Sequence, residues 1–349
     1  MSLLFLDGFD LGDSNASGKW NVFNSVGIAS SGGIHGFYAL FNDSADRAQK
    51  VLAAGADTTF IAHLYLQASA GGNDGVANMG VIRFQGDGGA TAHLNLSYTS
   101  TQALRVRLGG GTGAILGTSA AVLTVGNWHH IGFKAFLSDT VGTVDVWVDG
   151  VNVLSLTGQD TRNGGTVVAF DAIELPGANG GPNPDFIDDL IILNGVDSGI
   201  AGMPNNDFLG VCRVESLLPD ADTATEQWTL SAGSDSFALV DEVPPNGNTD
   251  YIEHDVAGEK TQLGLGDLVS SAVDILGVQL SSHAVKMDAG TALFRQGIRS
   301  DASDANGADH ALTESYINYQ DIFEADPDGG GAWTPAQLNA AEAFVEVRT

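Results

Sequence analysis

At 349 residues the chain is long enough for two cores of ordinary size, and a hydrophobic content of 43% rules out wholesale disorder. Its 43 acidic residues against 14 basic ones give a net charge of −29, a surface that repels duplex nucleic acid and anionic membranes and removes both as partners. Cys212 is the single cysteine, so no intrachain disulfide can form, and no stretch approaches the ~20 apolar residues of a membrane span.

The opening, Met1-SLLFLDGFDLGD, offers four apolar residues from Leu3 to Leu6 and then Asp7. A secretory signal needs a basic start and a longer apolar run, so export by the usual route is not expected. Ala45-DRAQKVLA is the one fair helix candidate in the first half. From there on the text reads as strands. Thr59-FIAHLYLQA, Val81-IRF, Ala92-HLNLSY and Leu104-RVRL alternate between apolar and polar positions, bounded by turn clusters such as Gly71-GNDG and Gly86-DGG. Period-two runs at this spacing predict an antiparallel sandwich or barrel.

Trp128-HHIGFKAF carries two adjacent histidines. Side chains alternate along a strand, so His129 and His130 point to opposite faces and do not share a metal unless a bulge intervenes. Thr143-VDVWVDGVNVLSL reads as a hairpin, with Asp149-Gly150 at the turn because both residues tolerate positive φ. Glu174 is the only glutamate in the first 200 residues, and no Gly-x-Ser-x-Gly elbow is present.

Trp128-HHIGF, Val144-DVWVDGV and Phe186-IDDLIILNG, in that order, resemble the laminin-G-like branch of the concanavalin A-like lectin/glucanase superfamily. Leu4-FLDGFD fits the first strand of that jelly roll, the strand that pairs with the last. The resemblance covers residues 1–196 and implies two antiparallel sheets packed face to face, with a face that binds carbohydrate in relatives. Glycosidases of that superfamily place two glutamates on one strand, which this chain lacks, so retaining hydrolysis is not expected; an inverting pair of aspartates stays open, and the overall expectation is a protein that is not an enzyme. The resemblance also implies a structural calcium ion, with Asp7 and one of Asp188 or Asp189 as ligands; the alternative is that these carboxylates accept hydrogen bonds from nearby loop amides. No other cofactor is implied. Neither Asp301-ASDANG nor Asp326-PDGGG supplies the oxygens of an EF-hand loop.

A turn-rich stretch, Gly195-VDSGIAGMPNND, marks a linker at 197–210. The charge divides there: 8 basic and 18 acidic residues up to position 200, against 6 and 25 beyond it. In the second part Gln227-WTL, Phe237-ALV, Asp250-YIEHDV, Ile275-LGVQLSSHAVK and Thr291-ALFRQGIRS read as strands. Trp333-TPAQLNAAEAF reads as a helix, with Thr334 as N-cap, Pro335 first and Gln337 completing a capping box. Val345-EVR closes the chain as a strand.

Residues 211–349, from Val214-ESLLPDADTATEQWTL onward, are similar to a module of tailed-bacteriophage virion structural proteins, where it follows a laminin-G-like domain as here. The expected fold is therefore all-β: a jelly-roll sandwich, then a second β-sandwich with one short C-terminal helix. The expected protein is a virion component of a tail, baseplate or fibre, forming a homo-oligomer with other virion proteins as partners and host-surface glycan as a further one. A head decoration protein is the alternative, and a polysaccharide hydrolase the disfavoured alternative of another class.

Overall fold

The computed structural model describes residues 1–12, 18–34, 36–41, 43–52, 57–164, 166–178, 184–271 and 274–348. Among them the protein is nearly all β, as expected, with one α-helix at Pro335–Asn339.

Residues 3–193 build two sheets. The front sheet runs in the order Val151–Gln159, Gly142–Val148, Trp128–Phe136, Thr59–Gln67, Asp185–Leu193, Tyr38–Phe41, Gly27–Ala29, with Leu3–Asp7 paired beside Asp185–Leu193. The first strand thus pairs antiparallel with the last of this unit, Leu6 opposite Ile191, as the jelly-roll reading requires. The back sheet runs Ile115–Ala121, Ala103–Leu108, Thr91–Tyr98, Ile82–Gly86, Ala172–Leu175, Arg47–Val51, Val22–Asn24.

Alternation decides which side chains meet between the sheets. Val144, Val146 and Val148 are buried while Asp145 and Trp147 between them are half-exposed. Phe84 of the back sheet stacks on Phe133 of the front at 4.5 Å, and Phe60 stacks on Phe170 at 5.2 Å. All four rings are fully buried, and each stabilises the fold by about 1.5–3 kcal/mol. The predicted hairpin turn is present: Asp149 and Gly150 have φ of +50° and +84°.

The helix expected at 45–53 is not formed. Arg47–Val51 is a strand between Ala172–Leu175 and Val22–Asn24, and Ala53 lies outside the described residues. The spacing of Ala48 and Leu52 suits one helix face, but both are buried in the sandwich core, where two flanking strands take up the backbone hydrogen bonds.

Residues 219–347 form a five-stranded sheet in the order Pro219–Glu226, Lys260–Leu265, Glu342–Val347, Leu293–Ser300, Ser303–Ala311. Two further pairs, Val278–Ala284 with Ile317–Phe323 and Thr229–Leu230 with Ile252–Glu253, complete it. Its core gathers around Trp333, Ile298, Phe323 and Leu338. The capping box of Thr334 and Gln337 is present, but the helix stops at Asn339 and Glu342–Val347 continues as a central strand. Phe237–Leu239 is a 3-10 turn, not a strand: Asp222 accepts from the amides of Ser236 and Phe237, which sets a turn there.

The second unit covers the free edge and outer face at the start of the first. Glu324 accepts hydrogen bonds from the amides of Ser2 (2.7 Å) and Leu3 (2.9 Å), and the Gln279 amide pairs with both backbone groups of Leu6. Gln279 does for that edge what a neighbouring strand would do. Leu209, Cys212 and Val214 then pack over Leu3, Ile61, Ile191 and Leu193.

Candidate functional site

The outward side of the front sheet carries the unusual chemistry. Along Trp128–Phe136 the residues Ile131, Phe133 and Ala135 enter the core, so Trp128, His130, Gly132 and Lys134 face outward, as alternation predicts. Register sets their neighbours: Trp128 and Phe186 both stand opposite Gln67, His130 and Asp188 opposite Tyr65, and Gly132 opposite His63.

At one end of this face lies an aromatic ledge of half-exposed rings. Tyr38 packs edge-on against Trp128 at 5.8 Å and against Phe186 at 4.8 Å, and the Trp128 indole N–H donates to the carbonyl of Gly32 (3.0 Å).

Of the expected calcium ligands, Asp188 lies on this face, opposite Tyr65, whereas Asp7 falls on the core side of its strand with Phe5. Asp7 is buried and fully engaged: its oxygens accept from the Phe9 amide (2.7 Å), the Lys19 ammonium (2.6 Å) and the Trp20 indole (2.8 Å). Asp188 accepts from the amides of Ile34 (2.7 Å) and Asp189 (2.9 Å), and burial, with the charges of Asp10 and Asp7, pushes its carboxyl up to about 7. The register shift between Asp188 and Ile191 puts Asp189 at φ +51°. Asp189 is 1% exposed, neither of its oxygens has a well-aligned hydrogen-bond donor, and burial with Asp188 and Asp10 nearby raises it to about 9. Burial raises Asp10 to about 6. The donors on Asp7 and Asp188 are those of the loop-amide alternative, with an ion pair added at Asp7.

At the covered end lies a group that the sequence did not reveal. His63 and His130 face each other with ring centroids 5.3 Å apart, and Cys212 Sγ lies 3.8 Å from His130 Nε2. Among the described residues this trio is the one group of three or more His, Cys, Asp or Glu side chains whose ligand atoms all lie within 4.8 Å of one another. His63 is fully buried with neither ring nitrogen hydrogen-bonded, and His130 Nδ1 is also unpaired. Burial pushes His63 down to about 3 and His130 to about 4, so both are neutral imidazoles at pH 7. Burial and the Asp189 charge push the Cys212 thiol up to about 12. Phe208 closes the group, stacked on Trp147 at 4.6 Å and on His63 at 5.3 Å. Gly132 makes room for it, since a Cβ there would lie 2.6 Å from the Phe208 ring.

His129 turns away from this group, as expected. Its Nδ1 meets Asp149 at 2.7 Å, and its Nε2 accepts from the Thr124 amide. The divergence of the adjacent histidines is therefore real, but His130 finds its partner on the next strand instead. His63 and His130 each stand at outward-facing positions of strands legible in the sequence. The register joining those strands, and the path that brings in Cys212, are not.

On the back sheet the buried charges are paired. Glu174 is held by Arg83 (2.7 Å) and Arg47 (2.6 Å), and Arg83 also donates to Asn95 and to the carbonyls of Ala77 and Met79.

No family's sequence profile matches the chain, and no curated protein matches it either. Among solved structures it is similar to Trypanosoma rangeli sialidase (17% identity, TM-score 0.36), over 55% of this chain and 30% of the sialidase, so the likeness spans under a third of that protein. It is also similar to alginate lyase Aly36B (12%, TM-score 0.32; 45% of this chain, 79% of the lyase) and to the carbohydrate-binding module CBM66 from Bacillus subtilis (11%, TM-score 0.33; 52% and 98%). Two of these are enzymes, so the expectation of a chain without enzymatic activity is corrected. It rested on the missing glutamate pair, which is only one of the arrangements that glycosidases use. Identities and TM-scores this low leave the ligands and reactions of those proteins their own.

Proposed function

We propose that the chain is a structural protein of a virion, placed in a tail, baseplate or fibre, that contacts host-surface carbohydrate through the aromatic ledge of the front sheet. The observation supporting carbohydrate contact is the ledge itself. Trp128 is fixed by its bond to Gly32 and flanked by Tyr38 and Phe186, and all three rings stay half-exposed. A pyranose ring buries its C–H face against such a surface while its hydroxyls bond nearby polar groups. Gln67, opposite both Trp128 and Phe186, is the polar group placed to do so. The virion setting is supported by the order of the sequence motifs and by the strongly acidic composition.

The test is a glycan array followed by titration calorimetry on the intact chain and on Trp128→Ala. Binding should weaken about tenfold in the variant, equivalent to ~1.4 kcal/mol. An intact chain that binds no glycan at millimolar concentration sinks the carbohydrate half of the reading. Gold-labelled antibody on purified particles tests the virion half, with label at the head favouring the decoration alternative.

A further inference from the structure

The geometry assigns a metal site: we infer that His63, His130 and Cys212 together bind one thiophilic divalent cation of the zinc class, where the 209–214 segment crosses the front sheet. The site is distinct from the aromatic ledge and does not rest on carbohydrate binding.

Three observations carry it. The first is spacing. Zinc bonds of ~2.0–2.1 Å to nitrogen and ~2.3 Å to sulfur in a tetrahedron put ligand atoms roughly 3.3–3.8 Å apart. The Cys212 Sγ to His130 Nε2 distance of 3.8 Å is of that size, and the largest separation in the trio is within 4.8 Å, so a small contraction completes the set.

The second is the unpaired imidazole. His63 is 0% exposed, yet both its ring nitrogens lack a hydrogen-bond partner. Buried polar atoms are almost always paired, because each orphan costs about 1–3 kcal/mol. A cation between His63, His130 and Cys212 gives one of those nitrogens a partner.

The third is charge and enclosure. A zinc ion with one thiolate and two neutral imidazoles carries a single residual positive charge. Phe208, stacked on His63 and on Trp147, closes the site on its outer side, so the ion would be shielded from bulk solvent. On binding, the Zn–S bond replaces the S–H bond of Cys212 and the proton leaves to solvent. The ion would staple two neighbouring strands of the front sheet to the connecting segment, and so hold the second unit against the first.

The experiment uses the full chain after chelator treatment, titrated with Co2+ and then Zn2+. One equivalent of Co2+ should produce thiolate-to-metal charge-transfer absorption, which Zn2+ then bleaches. Excess Zn2+ should raise the melting temperature by several degrees. Since Cys212 is the only cysteine, its reaction with a thiol reagent should slow at least about tenfold when Zn2+ is present. Cys212→Ala and His130→Gln should each abolish the charge-transfer band, with folding checked by circular dichroism. If a histidine variant fails to fold, thiol protection in the unaltered chain still decides the matter. The inference is overturned by the absence of both the band and the thermal shift, by a band that survives in folded His130→Gln, or by a Zn2+ shift that persists undiminished in Cys212→Ala.

Discussion

The two outer faces of the first sandwich differ in how their buried acidic groups are partnered, although the back sheet too leaves His93 Nε2 and Asn95 Nδ2 unpaired. On the back sheet each buried charge meets its opposite: Glu174 sits between Arg83 and Arg47, and Asp74 takes Arg107 at 2.7 Å together with Arg105. Burial alone would raise the Asp74 carboxyl, but its bonds from Arg107 and Ser97 outweigh that and hold it below the ordinary range. On the front sheet His63, His130 and Asp189 are as deeply buried and lack such partners. A satisfied network holds loops onto a sheet and needs nothing further. An unsatisfied one costs stability unless something outside the chain completes it.

The largest expected effect breaks the satisfied side. Glu174→Ala leaves Arg83 and Arg47 without their counter-charge and should cost about 3–5 kcal/mol, read as a fall in the urea midpoint. A loss under 1 kcal/mol would mean the network is as dispensable as a surface pair.

Asp189→Asn should act in the opposite direction. A carboxyl raised to about 9 when folded, from an ordinary value near 4, favours folding at low pH and loses that contribution as pH rises toward 9. In metal-free buffer the variant should therefore gain on the unaltered chain between pH 5 and pH 9, by roughly 1–3 kcal/mol. A stability difference that does not change with pH would remove Asp189 from the contrast.

The smallest effect is expected at Cys212. Without metal its sulfur has one weak polar contact at 3.8 Å beside its apolar packing, so Cys212→Ala should change stability by about 1 kcal/mol in chelator. With Zn2+ present the same substitution should cost several times more, and equal costs in both buffers would erase the proposed role.

Much of the scaffold was readable residue by residue. Val144, Val146 and Val148 alternate with Asp145 and Trp147, and Asp149-Gly150 closes the hairpin with positive φ at both positions. Thr334, Pro335 and Gln337 start the helix with the expected cap. The site was far less readable. Asp7 looked like a calcium ligand, and nothing local announced that Lys19 and Trp20 would fold back onto it. Cys212 counted only as an absent disulfide, because its meaning depends on where the 209–214 segment lands.

By itself the sequence determined what neighbours along the chain can decide: strand periodicity, turn positions, the helix cap, and the divergence of His129 from His130. Tertiary structure alone decided that Arg47–Val51 joins a sheet and that His63 lies diagonal to His130 across strands about 67 residues apart in the chain. It also decided that Asp189 is buried in a bulge without a well-aligned donor beside Cys212. Side-chain alternation and φ preference are short-range and written in each segment. Strand register and the path of a crossing segment are fixed only when distant apolar surfaces such as Leu3, Ile61 and Ile191 bury one another.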